Sequence, residues 1–218
     1  MKYGFLVVAV FFAGFFFGTG VSQAHQPQAV FGEADVRVDG PEISKAYYGE
    51  LEGRPDLFLI RSGEPFNLYV NVLVPDVPGV RKDISFEIRK DGKLLEASDG
   101  ADFRWTNFYE PFAGDNYFKG PEYRMRVGSG EYEIKVSNPG NAGKYALAVG
   151  ETESFTIGGA VEAIAAVPRI KKDFFGESSV SAYLNQINLL FLAIITALAG
   201  ITWLAIIAHR KKNKRYSH

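Results

Sequence analysis

Apolar and polar residues alternate through most of the chain between residues 29 and 157. In the segment 66–75, FNLYVNVLVP, every second side chain is apolar, and the segments 84–90 and 130–137 repeat the pattern. A period of two places the apolar side chains on one face of an extended strand. Gly, Pro, Asn and Asp bound the segments, and Asp91-Gly92 is typical of a two-residue hairpin turn. The pattern predicts about nine short strands and no helix in this region.

Short strands without intervening helices are typical of two packed sheets. We therefore predict a mainly β fold: an antiparallel β-sandwich ectodomain at 25–157, then a C-terminal juxtamembrane helical segment and one transmembrane helix. Further strands are expected near 30–38, 46–52, 56–61, 103–109, 123–127 and 153–157. The predicted core consists of the apolar residues on the shared strand faces: Phe66, Leu68, Val70, Ile84, Phe86, Ile88, Tyr132, Ile134, Val136 and Leu147.

The amino-acid composition excludes some classes of partner and of catalytic chemistry. The 218 residues are 47% hydrophobic with a formal net charge of −1, so no nucleic-acid partner is expected. The chain has no cysteine. Thiol catalysis, thiolate metal sites and disulfides are therefore excluded.

The N-terminus is typical of a secretory signal peptide. Lys2 is basic, the segment 5–17 is apolar throughout, and Ser22 and Ala24 are the small residues that a signal peptidase requires. We predict a signal peptide at 1–24, which would leave His25 as the mature N-terminus. An uncleaved signal anchor is the alternative.

The C-terminus carries a second membrane signal. Residues 189–208 contain no charged side chain and are about 30 Å long as a helix, which is enough to span a bilayer. We predict a transmembrane helix at 188–209 and a basic cytoplasmic tail at 210–218, because basic clusters remain inside. The protein is then a single-pass type I protein of the cell membrane, with its sandwich extracytoplasmic. The basic residues expected at the inner interface are Arg210, Lys211 and Lys212.

The juxtamembrane segment 158–187 begins with an Ala-rich helical run that Pro168 interrupts. Lys171 and Lys172 follow, and Phe174 and Phe175 come directly after. Such a segment is predicted to lie in the lipid head groups, with its rings in the bilayer and its amines near lipid phosphate. The alternatives are a helix packed under the sandwich and a plain stalk.

The last strand pair carries a resemblance. The pattern G-x-Y-x-I-x-V at 130–136, followed by G-K-Y-x-L-x-V-G at 143–150, resembles a membrane-proximal β-sandwich of the GOLD or immunoglobulin-like type. The whole chain resembles prokaryotic type I single-pass membrane proteins whose mature chain begins His-Gln-Pro, and that resemblance implies no known activity. Cargo-receptor function is not implied, because the chain lacks the cysteines and heptads of those receptors.

Metal binding and catalysis are not favoured. His25 could offer an α-amine and an imidazole to copper(II), but no second histidine lies before the predicted span. Asp91, Asp99 and Asp102 could offer oxygen ligands to calcium, although their spacing matches no defined calcium loop. The usual pairs of nucleophile and base are missing as well. We predict a non-catalytic protein without a cofactor.

The stretch 105–123, WTNFYEPFAGDNYFKGPEY, combines aromatic rings with carboxylates. Glycine and proline are expected to force a loop between Glu110 and Glu122. Some rings would enter the core, Trp105 and Phe112 first. The predicted ligand-binding surface consists of Tyr109, Glu110, Asp115 and Tyr117.

Two functions fit these features. The first is a membrane-anchored binding module that holds a glycan, a peptide or an envelope partner at the outer membrane face. The second is a structural or accessory subunit of a membrane protein complex. In both, the lipid bilayer is a partner.

Overall fold

The computed structural model describes residues 25–110, 114–154, 157–183, 196–203 and 207. The predicted signal peptide at 1–24, the tail at 210–218 and most of the predicted span at 188–209 lie outside these residues. Within the described part, no helix is both long enough and apolar enough to cross a membrane.

Strands make up most of the described chain. They are β1 (Gln26–Ala29), β2 (Asp35–Arg37), β3 (Lys45–Glu52), β4 (Asp56–Ser62), β5 (Phe66–Pro75), β6 (Ser85–Lys90), β7 (Lys93–Ser98), β8 (Thr106–Glu110), β9 (Asp115–Val127), β10 (Gly130–Ser137) and β11 (Ala142–Val149). Helix α1 (Ile157–Arg169) follows, with a π-helical turn (Ile170–Phe174) and a 3₁₀ turn (Ser179–Tyr183). Residues 196–203 are helical.

The strands form two sheets packed as a sandwich. The six-stranded sheet has the order β1-β3-β11-β5-β9-β8, and the five-stranded sheet has the order β2-β4-β10-β6-β7. The pairs β1/β3 and β2/β4 are parallel, and the other pairs are antiparallel. The predicted mainly β sandwich is confirmed, with parallel strands added at one edge of each sheet.

The core between the sheets is the predicted one. Every residue predicted for it is at most 4% exposed. Phe58 meets Tyr47 and Tyr145 edge to face, and Phe66 meets Tyr132 in the same way. Edge-to-face pairs of this kind add to the free energy gained by burying the ring area.

The outer faces of the two sheets differ. The five-stranded sheet is charged on its outer face, where Lys135 and Arg89 both pair with Glu87 and Arg61 pairs with Glu131. The six-stranded sheet is apolar on its outer face, where Tyr69, Leu73, Ala146 and Ala148 are buried under the C-terminal segment. Strand β5 is therefore buried on both faces, as a central strand covered on both sides should be.

Strand β9 corrects one prediction. It runs without a break from Asp115 to Val127 through Gly120 and Pro121, so the predicted loop between Glu110 and Glu122 is wrong. The ladder with β5 shifts register between Asn71 and Leu73. At this shift the Asn71 side-chain amide donates to the carbonyl oxygens of Gly120 and Pro121 at 3.1 and 3.0 Å. Pro121 lies at this bulge, where a strand tolerates a residue without an N–H donor, so β9 continues through it.

Of the strand predicted at 153–157, Glu153 and Ser154 are not in a strand, and residues 155–156 lie outside the described residues. Thr152 makes one isolated bridge to Ile43, and Ile157 already begins α1.

Candidate functional site

The β8–β9 hairpin carries the four residues predicted as a ligand surface, but two of them are accessible to solvent and two are buried. Tyr109 is 52% exposed and Glu110 is half-buried, but Asp115 and Tyr117 are only 4% and 3% exposed. Asp115 and Tyr117 thus do not lie on the exposed surface expected from sequence. The C-terminal segment covers them, because the outer face of the six-stranded sheet is apolar and must be buried.

A buried ion pair holds that segment to the sheet. The Lys171 Nζ donates to the Asp115 carboxylate, and the two side chains are 5% and 4% exposed. Burial raises the pKa of Asp115, and the hydrogen bond from Lys171 opposes this rise. Glu177 lies 3.8 Å from the Lys171 Nζ as a second carboxylate. The pair links β9 to the π-helical turn, although the two are far apart in sequence.

Aromatic rings surround the ion pair. Phe174 is fully buried and meets Tyr48 edge to face at 5.1 Å between centroids. Phe175 meets Tyr117 in the same way at 5.3 Å, and the Tyr48 and Tyr117 hydroxyls are 3.0 Å apart. Burial raises the pKa of both hydroxyls well above the usual value, so both tyrosines act as neutral hydrogen-bonding groups.

This packing corrects the predicted membrane interface. Lys171 and Phe174 face the sheet and are not available to lipid, whereas Lys172 is exposed and Phe175 is half-buried. The alternative of a helix packed under the sandwich is the arrangement found. Arg210, Lys211 and Lys212 lie outside the described residues.

An aromatic rim lies at the β8 edge of the six-stranded sheet. Trp105 packs against the core, and its Nε1 donates to the Gly100 carbonyl at 2.8 Å. This core role of Trp105 was expected, and Phe112 lies outside the described residues. Phe103 stands edge to face on Trp105. Phe103, Phe108 and Tyr109 are 41%, 37% and 52% exposed, so three rings meet solvent around one strand.

Of the residues considered as metal ligands, His25, Asp91 and Asp99 make hydrogen bonds within the protein. The His25 Nδ1 lies 2.5 Å from the Ser44 Oγ, and burial lowers the pKa of His25 to about 4. The Asp91 carboxylate accepts from the Glu131 amide at 3.1 Å, and that of Asp99 accepts from the Ala101 amide at 2.8 Å. Asp102 is exposed. No group of three His, Cys, Asp or Glu side chains in the described part of the chain is placed to hold a metal ion.

Comparison with known proteins assigns no family to the chain. No family model matches the chain, and no curated protein does. Among solved structures, it is similar to the pre-peptidase C-terminal domain of collagenase from Bacillus anthracis, with 11% identity and a TM-score of 0.34 over 54% of this chain and 94% of that one. It is also similar to CorA, a surface-associated copper-binding protein of Methylomicrobium album BG8, with 10% identity and a TM-score of 0.29 over 56% of this chain and 100% of that one.

Likenesses at this level assign no family and no function. The GOLD-like or immunoglobulin-like relationship stays a prediction. What is shown is a mainly β protein whose two sheets pack as a sandwich.

Proposed function

We propose that the protein is a non-catalytic binding module, anchored in the cell membrane by residues 188–209, that holds a glycan, peptide or envelope partner on the extracytoplasmic side. The observation that carries this proposal is the exposure of Phe103, Phe108 and Tyr109 around one sheet edge. Large rings at solvent are costly unless a partner covers them, and aromatic side chains are enriched where partners bind.

The position of the rings suits a contact surface. β8 is an edge strand with β9 as its neighbour, and successive side chains of a strand point to opposite faces. Phe108 and Tyr109 therefore present one ring on each face of the edge. The Phe108 ring rests on Tyr117 at 6.2 Å, and Tyr117 is fixed by the docked C-terminal segment. The exposed Phe108 ring thus stands on a fixed base, which lowers the entropy lost on binding.

The test is recovery of the partner by the full-length chain. Cells expressing it are cross-linked, and the protein is purified in mild detergent. In the double variant Phe108→Ser/Tyr109→Ser we expect at least about a tenfold loss of recovered partner, since aromatic anchors carry much of a contact's energy. The matched control is Leu59→Ser/Leu94→Ser on the five-stranded sheet, where the two side chains are 41% and 57% exposed. Unchanged recovery by a folded β8 variant contradicts the proposal.

The second candidate is an accessory subunit of a membrane protein complex. It is favoured by the Lys171–Asp115 pair, which ties the sandwich to the segment leading to the predicted span. An accessory subunit would co-purify with a stoichiometric membrane protein. Replacing 188–209 by an unrelated apolar span of equal length would abolish that association, whereas the β8 double variant would keep it.

A further inference from the structure

A polar cleft of about 320 Å³ opens at the edge of the six-stranded sheet opposite β8. β1 and β3 form one wall, and the end of β2 with the residues after it forms another. The first turns of α1 close the cleft. Small-molecule sites measure about 300–1,000 Å³, so this cleft suits a small ligand.

Tyr47 lines the cleft and has an unusual hydroxyl. The residue is 4% exposed, and its ring packs edge to face on Phe58 at 5.4 Å. Among the described residues, none makes a hydrogen bond to the Tyr47 hydroxyl. Burial raises the pKa of Tyr47, and the charge of Asp39, another residue of the cleft, adds to the rise. Tyr47 and Asp39 thus line the same cleft and lie close enough for their charges to interact.

Other buried tyrosines contrast with Tyr47. The Tyr145 hydroxyl donates to the Asp56 carboxylate at 2.7 Å, and the Tyr132 hydroxyl donates to the Gly128 carbonyl at 2.6 Å. The Tyr48 and Tyr117 hydroxyls bond to each other. Among the described residues, the one buried side-chain oxygen or nitrogen without a partner belongs to Asn141, so the Tyr47 hydroxyl reaches the solvent of the cleft. The hydroxyl of Tyr47 is available to an occupant of the cleft.

The strand β1 adds two amide side chains. Gln26 and Gln28 both line the cleft, and their spacing places them on one face of the strand. The Gln26 Nε2 donates to the Ser154 carbonyl at 2.5 Å, which fixes that side chain. An amide side chain offers both a donor and an acceptor, as hydroxyl-rich ligands require.

The charges of the cleft cancel. Arg37 and Lys45 are its cations, and Asp39 and Glu162 are its carboxylates. The Arg37 Nε pairs with the Asp39 carboxylate at 3.0 Å, and the Lys45 Nζ donates to the Asp39 carbonyl at 2.6 Å. The net charge of the lining is therefore zero, which favours neither a cationic nor an anionic ligand.

We propose that this cleft binds a small neutral carbohydrate, whose hydroxyls bond to the Tyr47 hydroxyl and to the amides of Gln26 and Gln28. The Arg37–Asp39 pair lies at the rim of the cleft. There the Arg37 guanidinium donates hydrogen bonds to the outward-facing sugar hydroxyls, and the Asp39 carboxylate accepts them. The site is separate from the aromatic rim at β8, so it does not depend on the function proposed above.

The test uses the full-length chain in a detergent without a sugar head group. Saturation-transfer NMR measures binding of glucose, galactose, N-acetylglucosamine and cellobiose at millimolar concentration, with glucuronate and glucosamine as charged probes. We expect a neutral probe to bind and the charged analogues to bind more weakly. Tyr47→Phe should weaken binding about tenfold, the loss of one hydrogen bond. Its unfolding temperature should not fall, because no described residue makes a hydrogen bond to the hydroxyl.

The control is Tyr109→Phe, which removes an exposed hydroxyl at the opposite sheet edge and should leave sugar binding unchanged. The double variant Phe108→Ser/Tyr109→Ser should also bind the sugar normally, even where it loses the partner at β8. The proposal is overturned if no neutral probe binds, if Tyr47→Phe binds as the wild type does, or if a charged probe binds best.

Discussion

The Lys171 ammonium and the Asp115 carboxylate form an ion pair between the C-terminal segment and β9, and neither side chain is more than 5% exposed. The Phe175 ring lies 5.5 Å from the same ammonium. Two charges have thus been removed from water together at the place where the segment docks on the sheet. Such a pair contributes little net stability but fixes which surfaces meet, because any other docking leaves a charge buried alone.

Removing one partner of this pair should be costly. Lys171→Ala should lower the free energy of unfolding by about 3–5 kcal/mol, because the Asp115 carboxylate is left buried and unpaired. The loss should shrink as pH falls, since a protonated Asp115 has no charge to bury. Denaturant titration measures both effects.

Two further variants make that test specific. Lys172→Ala changes the exposed neighbour of Lys171 and should cost less than about 0.5 kcal/mol. Lys171→Met/Asp115→Leu should recover most of the stability that Lys171→Ala loses. Equal stability of Lys171→Ala and the wild type would show that the pair is not buried in solution.

Gly120 has no room for a side chain. A Cβ built there would lie 2.5 Å from the Trp105 ring, so Gly120→Ala must displace the indole and should cost about 1–3 kcal/mol. Gly63→Ala is the matched control, because open space surrounds that position. Thermal unfolding checks the energies, and a shift of tryptophan emission in Gly120→Ala checks the displacement. No change in either quantity would place Trp105 elsewhere.

The hydroxyl of Tyr145 should matter where that of Tyr47 does not. Tyr145→Phe leaves the Asp56 carboxylate, 4% exposed, without its 2.7 Å donor, and should cost about 1–3 kcal/mol near neutral pH. Burial already raises the pKa of Asp56, and losing the donor raises it further. A carboxyl whose pKa is higher in the folded state loses stability as pH rises through that range, so the cost should be smaller in acid. An equal effect of Tyr47→Phe on stability would show that the two environments are alike.

His25 should make stability depend on pH between 6.5 and 4. Burial lowers the pKa of His25 from 6.5 to about 4, with Glu151 opposing the shift and Lys119 adding to it. The unfolded chain therefore binds a proton in this window that the folded protein does not. Stability should fall by up to about 1.4 kcal/mol per pH unit as pH decreases through the window. The difference between the wild type and His25→Gln, measured by denaturant unfolding at several pH values, isolates this contribution from other groups.

The strands were predictable because their signal is local. The alternation in 66–75 marks β5 at its observed bounds, and Asp91-Gly92 marks the β6–β7 turn, where Asp91 has a positive φ. Burial of the outer face of the six-stranded sheet was also indicated by the sequence. In β11 the run YALAV is apolar at successive positions, as in a strand buried on both faces.

The docking of the C-terminal segment could not be predicted from its own residues. Lysines beside Phe174 and Phe175 suit a lipid surface and an apolar sheet face equally well, and the choice depends on Asp115 on a distant strand. The cleft at Tyr47 is similar, because its walls come from β1, β2, β3 and α1. Which tyrosine lacks a hydroxyl partner depends on where distant elements pack.

Helix α1 packs against β1, so the element that follows the last strand contacts the first strand. Ala29 and Phe31 pack in one cluster with Ala166 and Phe174. Synthesis runs from the N-terminus, so every strand leaves the ribosome before the segment that covers the six-stranded sheet. The outer face of that sheet therefore stays uncovered throughout elongation of the sandwich, and it closes only when the residues next to the predicted span arrive. Closure of this face is thereby coupled to synthesis of the segment 166–174, and a chain released before that segment would leave an apolar surface exposed.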